Sequence, residues 1–129
     1  MNAARTRRML ALVLLLAPLQ ALACGACVED KVAATYDHSV VQRAKARHQT
    51  VVFAAIEGKA DAATLARTVK QAAARAPGVD VDSIRTAADP AALSFALDPR
   101  VGTPDATLAT IARAASRNGV TLPLLRVVP

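Results

Sequence analysis

Tryptophan is absent, and Tyr36, Phe53 and Phe95 are the only aromatic residues. That leaves no platform of the kind on which single-stranded bases stack, and with basic residues spread along the chain it argues against a nucleic-acid partner. Two cysteines are too few for a multi-disulfide scaffold or a closed four-thiolate zinc site. The five glycines are widely spaced, so no loop reads as a phosphate cradle. Sequence spacing supports no Ser-His-Asp set and no carboxylate dyad, and the chain reads as non-enzymatic. The marked apolar run near the start, Met9 to Leu16, is short of the about 20 residues that a membrane span needs.

What is there begins with an export signal read in three parts: Arg5, Arg7 and Arg8, then the Met9–Leu16 run, then Pro18 and an Ala21-Leu22-Ala23 cleavage site. Residues 1–23 are therefore expected to be a signal peptide, and the mature chain to be periplasmic or secreted. Cys24 directly after Leu22-Ala23 leaves a lipid-anchored alternative, although Gln20 and Ala21 stand where that signal prefers larger aliphatics. Thr6-Arg7-Arg8 also matches a fragment of a twin-arginine signal. Arg5, Arg7 and Arg8 supply three of the six net positive charges, so the mature chain keeps 13 basic against 10 acidic residues. At 106 residues it is the size of one compact domain.

Cleavage at that point would make Cys24-Gly25-Ala26-Cys27 the new amino terminus. A dithiol supplies two soft donors, enough for Cu(I) or Hg(II), and is the chain's best candidate for chemistry. The same pair in an oxidising compartment could instead close as a small disulfide or take part in thiol-disulfide exchange. Val28, Val32, Tyr36, Val40 and Ala44 recur every four residues and predict one helix from Val28 to about Arg47, with the cysteines at or just before its first turn. A helix amino terminus lowers a thiol pKa and favours the thiolate. His38 is no third ligand on this reading, since eleven residues of unbroken helix place it about 16 Å beyond Cys27. His38 and His48 read as solvated residues, as do Arg43, Lys45 and Arg47 at the helix end.

From Thr50 the punctuation is regular. Thr50–Ile56 reads as a strand. A helix follows, capped by Asp61, with Leu65, Val69, Ala72 or Ala73 and Ala76 on one face and Pro77-Gly78 as its stop. Ser83–Ala87 and Leu93–Leu97 read as a hairpin turning near Asp89-Pro90. Thr103 and Pro104 open a helix that buries Leu108, Ile111, Ala112 and Ala115 and ends at Asn118-Gly119. In the last strand, Val120–Val128, Pro123 lacks an N–H and predicts a sheet edge. The order is βαββαβ, an α+β ferredoxin-like sandwich over residues 50–129, preceded by the extra helix within 24–49. That extra helix is expected on the sheet face the sandwich leaves open, or capping an end of the domain.

Ile56-Glu57-Gly58, Pro77-Gly78-Val79, the hairpin ending in Phe95-Ala96-Leu97-Asp98-Pro99, and the Thr103-Pro104 helix ending in Asn118-Gly119 together resemble a heavy-metal-associated domain, over about residues 50–128. The resemblance implies soft-metal binding and a metal-transport or other periplasmic protein partner. The family holds its metal on a Cys-x-x-Cys in the loop after the first strand. Here that loop is Gly58–Thr64, with Asp61 and Thr64 roughly where the thiols would stand, and neither replaces a sulfur donor. Cys24-Gly-Ala-Cys27-Val28-Glu29, followed by Lys31-Val32, itself resembles the family's metal loop running into its helix, without the strand before it. The reading is an exported Cu(I)- or soft-metal-binding protein using Cys24 and Cys27. A metal-free accessory or interaction domain of the same fold is the alternative, and a thiol-disulfide redox protein the third.

Overall fold

A computed structural model describes residues 28–129. The expected signal segment and its cleavage site, and the dithiol Cys24 and Cys27, lie outside the described residues. Helical residues 28–35 (α1) lead to α2 (His38–Ala46), β1 (Thr50–Ala55), α3 (Ala62–Ala74), β2 (Arg85–Ala88), β3 (Ala91–Leu97), α4 (Pro104–Ala114) and β4 (Leu124–Val128). The strands form one antiparallel sheet in the order β2-β3-β1-β4. This is the expected α+β ferredoxin-like βαββαβ arrangement.

The two central strands are buried on both faces, and their side chains alternate between two cores. Val52, Ala54 and Ile56 from the first strand and its exit, with Leu93, Phe95 and Leu97 from β3, pack with Leu65, Val69 and Ala73 of α3 and Leu108 and Ile111 of α4. On the opposite face, Val51, Phe53 and Ala96 pack with Val32, Val40 and Ala44 of the amino-terminal helices. The open face of the sandwich is thus filled by the chain's own leader, as the first of the two expected placements has it. Small residues on that face of β3, namely Ala92, Ser94 and Ala96, leave room for helices to lie close.

The amino-terminal segment differs from the expected single helix. It breaks at Tyr36–Asp37, where Asp37 adopts an extended conformation (φ −132°, ψ 112°) and caps α2. Its Oδ1 accepts from the N–H of Ser39 at 2.9 Å and of Val40 at 3.4 Å. Once Asp37 satisfies these donors, a new helix direction is as favourable as continuation. The break turns Tyr36 out of the apolar stripe, and it is 52% exposed.

Other boundaries moved for local reasons. The hairpin turns at Asp89–Pro90, a cis peptide, as expected near that site, but β2 starts at Arg85 because Val81–Ser83 forms a short 3₁₀ turn. The buried Ser83 hydroxyl accepts from the Ala96 N–H at 2.7 Å, taking the place of a ladder partner. The last strand is an edge strand, yet it begins at Leu124 rather than Val120. Pro123 has no N–H to give to the ladder, its carbonyl accepts from Ala55, and the register shifts opposite Phe53/Ala54. Thr103 caps α4 with Pro104 in its first turn, as their residue types predict, but α4 ends at Ala114 rather than at Asn118-Gly119, and Gly119, in the left-handed region at φ 60°, closes a separate 3₁₀ turn, Ser116–Asn118.

Candidate metal site

The loop after β1, where the resemblance would put a metal, is closed on itself. Asp61 caps α3, its Oδ1 accepting from the Thr64 N–H at 3.0 Å while the Thr64 hydroxyl donates to Oδ2 at 2.7 Å. The Asp61 carboxyl is held below its usual pKa, first by the Thr64 hydroxyl and then by the Thr64 N–H. Both side chains are therefore committed to a helix cap, and oxygen donors of this kind do not make a Cu(I) or Hg(II) site. Among the described residues no group of three or more His, Cys, Asp or Glu side chains converges as a metal would require. His38 is exposed at the first position of α2, and His48 is exposed just past its end at φ 55°. The helix break removes the straight-helix measure of how far His38 lies from Cys27.

Cys24 and Cys27 are the chain's only thiols, and the structure describes the segment that begins at the next residue. Three polar links anchor that segment to three different strands. Arg126 of β4 makes a two-pronged ion pair with Glu29, its Nη1 lying 3.4 Å from Oε2 and its Nη2 bonding to Oε1. The Ser94 hydroxyl of β3 donates to the Thr35 carbonyl at 2.9 Å, in a buried setting. Arg85 of β2 donates through Nε to Asp37 Oδ2 at 3.0 Å, with Nη2 also 3.0 Å from that oxygen. A fourth link, Arg47 to Asp80 at 3.2 Å, fastens the end of α2 to the turn before β2.

Asp37 both caps α2 and pairs with Arg85, and its carboxyl is held down at about 2. The Ser39 hydroxyl is the main cause; burial opposes it, and Arg85 and the N–H groups of Val40 and Ser39 add to the lowering. Sequence reading placed Asp37 merely off the apolar stripe. The available signal was an Asp-x-Ser-Val run, a helix-start pattern inside an otherwise continuous periodicity. Nothing local in the sequence marks Arg85 or Arg126, whose partners lie 48 and 97 residues away.

No family model and no curated protein matches the sequence. Among solved structures, the chain is similar in fold to the copper binding domain from HMA7, a P-type ATPase, at 18% identity and a TM-score of 0.50. The match covers 60% of this chain and 96% of that domain. The chain thus has the ferredoxin-like fold of a heavy-metal-associated domain, with a further helical layer added on the open face. No helix among the described residues is long and apolar enough to cross a membrane.

Proposed function

We propose that this is an exported, non-enzymatic protein that carries or sequesters a soft metal ion, Cu(I) or a chemically similar cation, as cargo on Cys24 and Cys27. The observation that carries this reading is the donor chemistry. The chain has one pair of soft ligands, and the place where the fold would otherwise hold a metal is taken by the Asp61–Thr64 cap. Two thiolates suffice for near-linear Cu(I), with no third protein ligand. The similarity in fold to a copper binding domain supports the same cargo class.

The test is competition for one equivalent of Cu(I) against a chromophoric chelator under anaerobic reduction. The reduced protein should take up one ion, and Cys24→Ser with Cys27→Ser should abolish uptake while leaving the far-UV circular dichroism unchanged. Equal affinity in the double variant would overturn the assignment. The closed Asp61–Thr64 loop also favours a second reading, a metal-free accessory domain that keeps the fold for protein contacts. That reading requires no cysteine-dependent metal adduct from reduced protein.

A further inference from the structure

Charge is segregated between the layers of the fold. α3, α4 and their flanks (residues 59–75 and 104–117) carry Lys59, Arg67, Lys70, Arg75, Arg113 and Arg117 against Asp61 and Asp105, whereas the other described residues carry seven basic and eight acidic side chains. All six cations are exposed. The four ion pairs among the described residues, Arg47–Asp80, Arg85–Asp37, Arg100–Asp98 and Arg126–Glu29, lie outside this layer. Asp61 is engaged in the Thr64 cap, and residues 1–27 contain no Asp or Glu that could serve as a partner.

The helices touch and run antiparallel, since Ala76 and Pro77 beyond the end of α3 line one small cleft with Ala106, Thr107 and Thr110 near the start of α4. Both rise 1.5 Å per residue, which brings Arg67 level with about residue 115, between Arg113 and Arg117, and Lys70 level with about residue 112. Packed helix axes lie about 8–10 Å apart, so these four side chains make one patch. It is on the outer face, because Leu65, Val69, Leu108 and Ile111 point into the sheet. Arg67 and Lys70 stand three residues apart and Arg113 and Arg117 four, spacings at which like charges weaken a helix. The C-terminal dipole of α4 favours its two cations, but Arg67 and Lys70 have no such reason inside α3.

We propose that this helical face docks an acidic protein surface, whose carboxylates Arg67, Lys70, Arg113 and Arg117 receive. The proposal supplies the surface for the protein-contact reading and does not depend on metal cargo. Two of the arginines are held ready: Arg67 Nη2 donates to the Thr64 hydroxyl at 3.4 Å and Arg113 Nη2 to the Thr110 hydroxyl at 3.3 Å. Each guanidinium keeps further N–H groups for a carboxylate, and holding it in place lowers the ordering cost of binding. Ala63, Ala109 and Ala114 are the neighbouring exposed positions, which lets a flat partner approach closely. The exposed large apolar residues, Tyr36, Val81, Val101, Leu124 and Val127, all lie off these helices, so the face has no anchor for a bilayer and no ring for a base.

The test is a titration of the isotope-labelled mature protein with an octaglutamate peptide in about 20 mM salt, where exposed charges are weakly screened. Amide shifts should centre on residues 64–71 and 110–117. Shifts centred instead on the basic cluster Arg43, Lys45 and Arg47, or spread evenly over the surface, would overturn the proposal. Arg67→Glu with Arg113→Glu should weaken peptide binding by about tenfold or more, against less than about twofold for Arg43→Glu with Lys45→Glu. Thr110→Ala keeps every charge and should still weaken binding by about twofold; no change would refute the held-arginine argument. Vesicles of phosphatidylglycerol, or a DNA duplex, binding this face more tightly than the peptide would overturn the choice of a protein partner. Cu(I) competition on the same proteins separates the readings. Absent uptake with the footprint intact refutes the cargo and not the surface, and intact uptake with no footprint refutes the surface alone.

Discussion

Replacing Phe53 by alanine distinguishes a filled sheet face from an open one. In a two-layer sandwich this ring would lie on the solvent side of β1, and its loss would cost little. Here it is 1% exposed, enclosed with Val32, Val40, Ala44, Val51 and Ala96. A buried aromatic side chain removes about 150–250 Å² from water, and at about 25 cal/mol per Å² that is roughly 4–6 kcal/mol before relaxation. Measured Phe→Ala substitutions in cores fall at about 3–5 kcal/mol, and we expect about 4 kcal/mol here. For a domain of about this size the same loss lowers the melting temperature by roughly 15–30 °C. Urea denaturation followed by far-UV circular dichroism measures it, with Val127→Ala as the control. Val127 is 38% exposed on the edge strand, and its truncation should stay within about 0.5 kcal/mol. A loss below about 1 kcal/mol for Phe53→Ala would refute the packing of the amino-terminal helices on this face.

Gly78→Ala should destabilise the fold by about 2 kcal/mol or more in the same denaturation assay, because Gly78 sits at φ 82° and a Cβ there would lie 2.9 Å from that of Val101. An unchanged midpoint would mean that the α3–β2 connection is looser than its geometry. Asp37 predicts an acid dependence. Its carboxyl is held at about 2 in the folded chain against an ordinary value of 3.8, so the unfolded chain takes up the proton first as pH falls. The advantage of the native protein over Asp37→Ala should be full above about pH 4 and disappear as pH drops through 2, read from paired acid titrations by circular dichroism. A constant gap across that range would show that the cap and the Arg85 pair do not depend on the charge.

The βαββαβ order was legible because its signals are local. Asp61, Thr103 and Pro104 start helices, Pro77-Gly78 follows within three residues of the end of α3, and Pro123 keeps its strand at an edge through chemistry that acts within a few residues. The same locality explains the errors. Four-residue apolar spacing continues through Tyr36–Asp37, and the cap that breaks the helix there is strengthened by Arg85, 48 residues later. Ser83 reads as a strand residue until its hydroxyl is seen to serve the Ala96 N–H. At the candidate site, sequence could show that the loop after β1 lacks sulfur, whereas the mutual closure of Asp61 and Thr64 required the coordinates.

By itself, then, the sequence determined the βαββαβ order and which side chains are soft donors, since propensity, capping and donor chemistry belong to residues and their near neighbours. The tertiary structure decided what covers the second face of the sheet and which strand edge receives the end of α1 that follows Cys27. Those outcomes depend on Phe53 finding Val32 and Val40, and on Arg126 finding Glu29, across up to 97 residues of chain. Such pairings are set by the shape and charge of a folded surface, which exists only once the strands have come together.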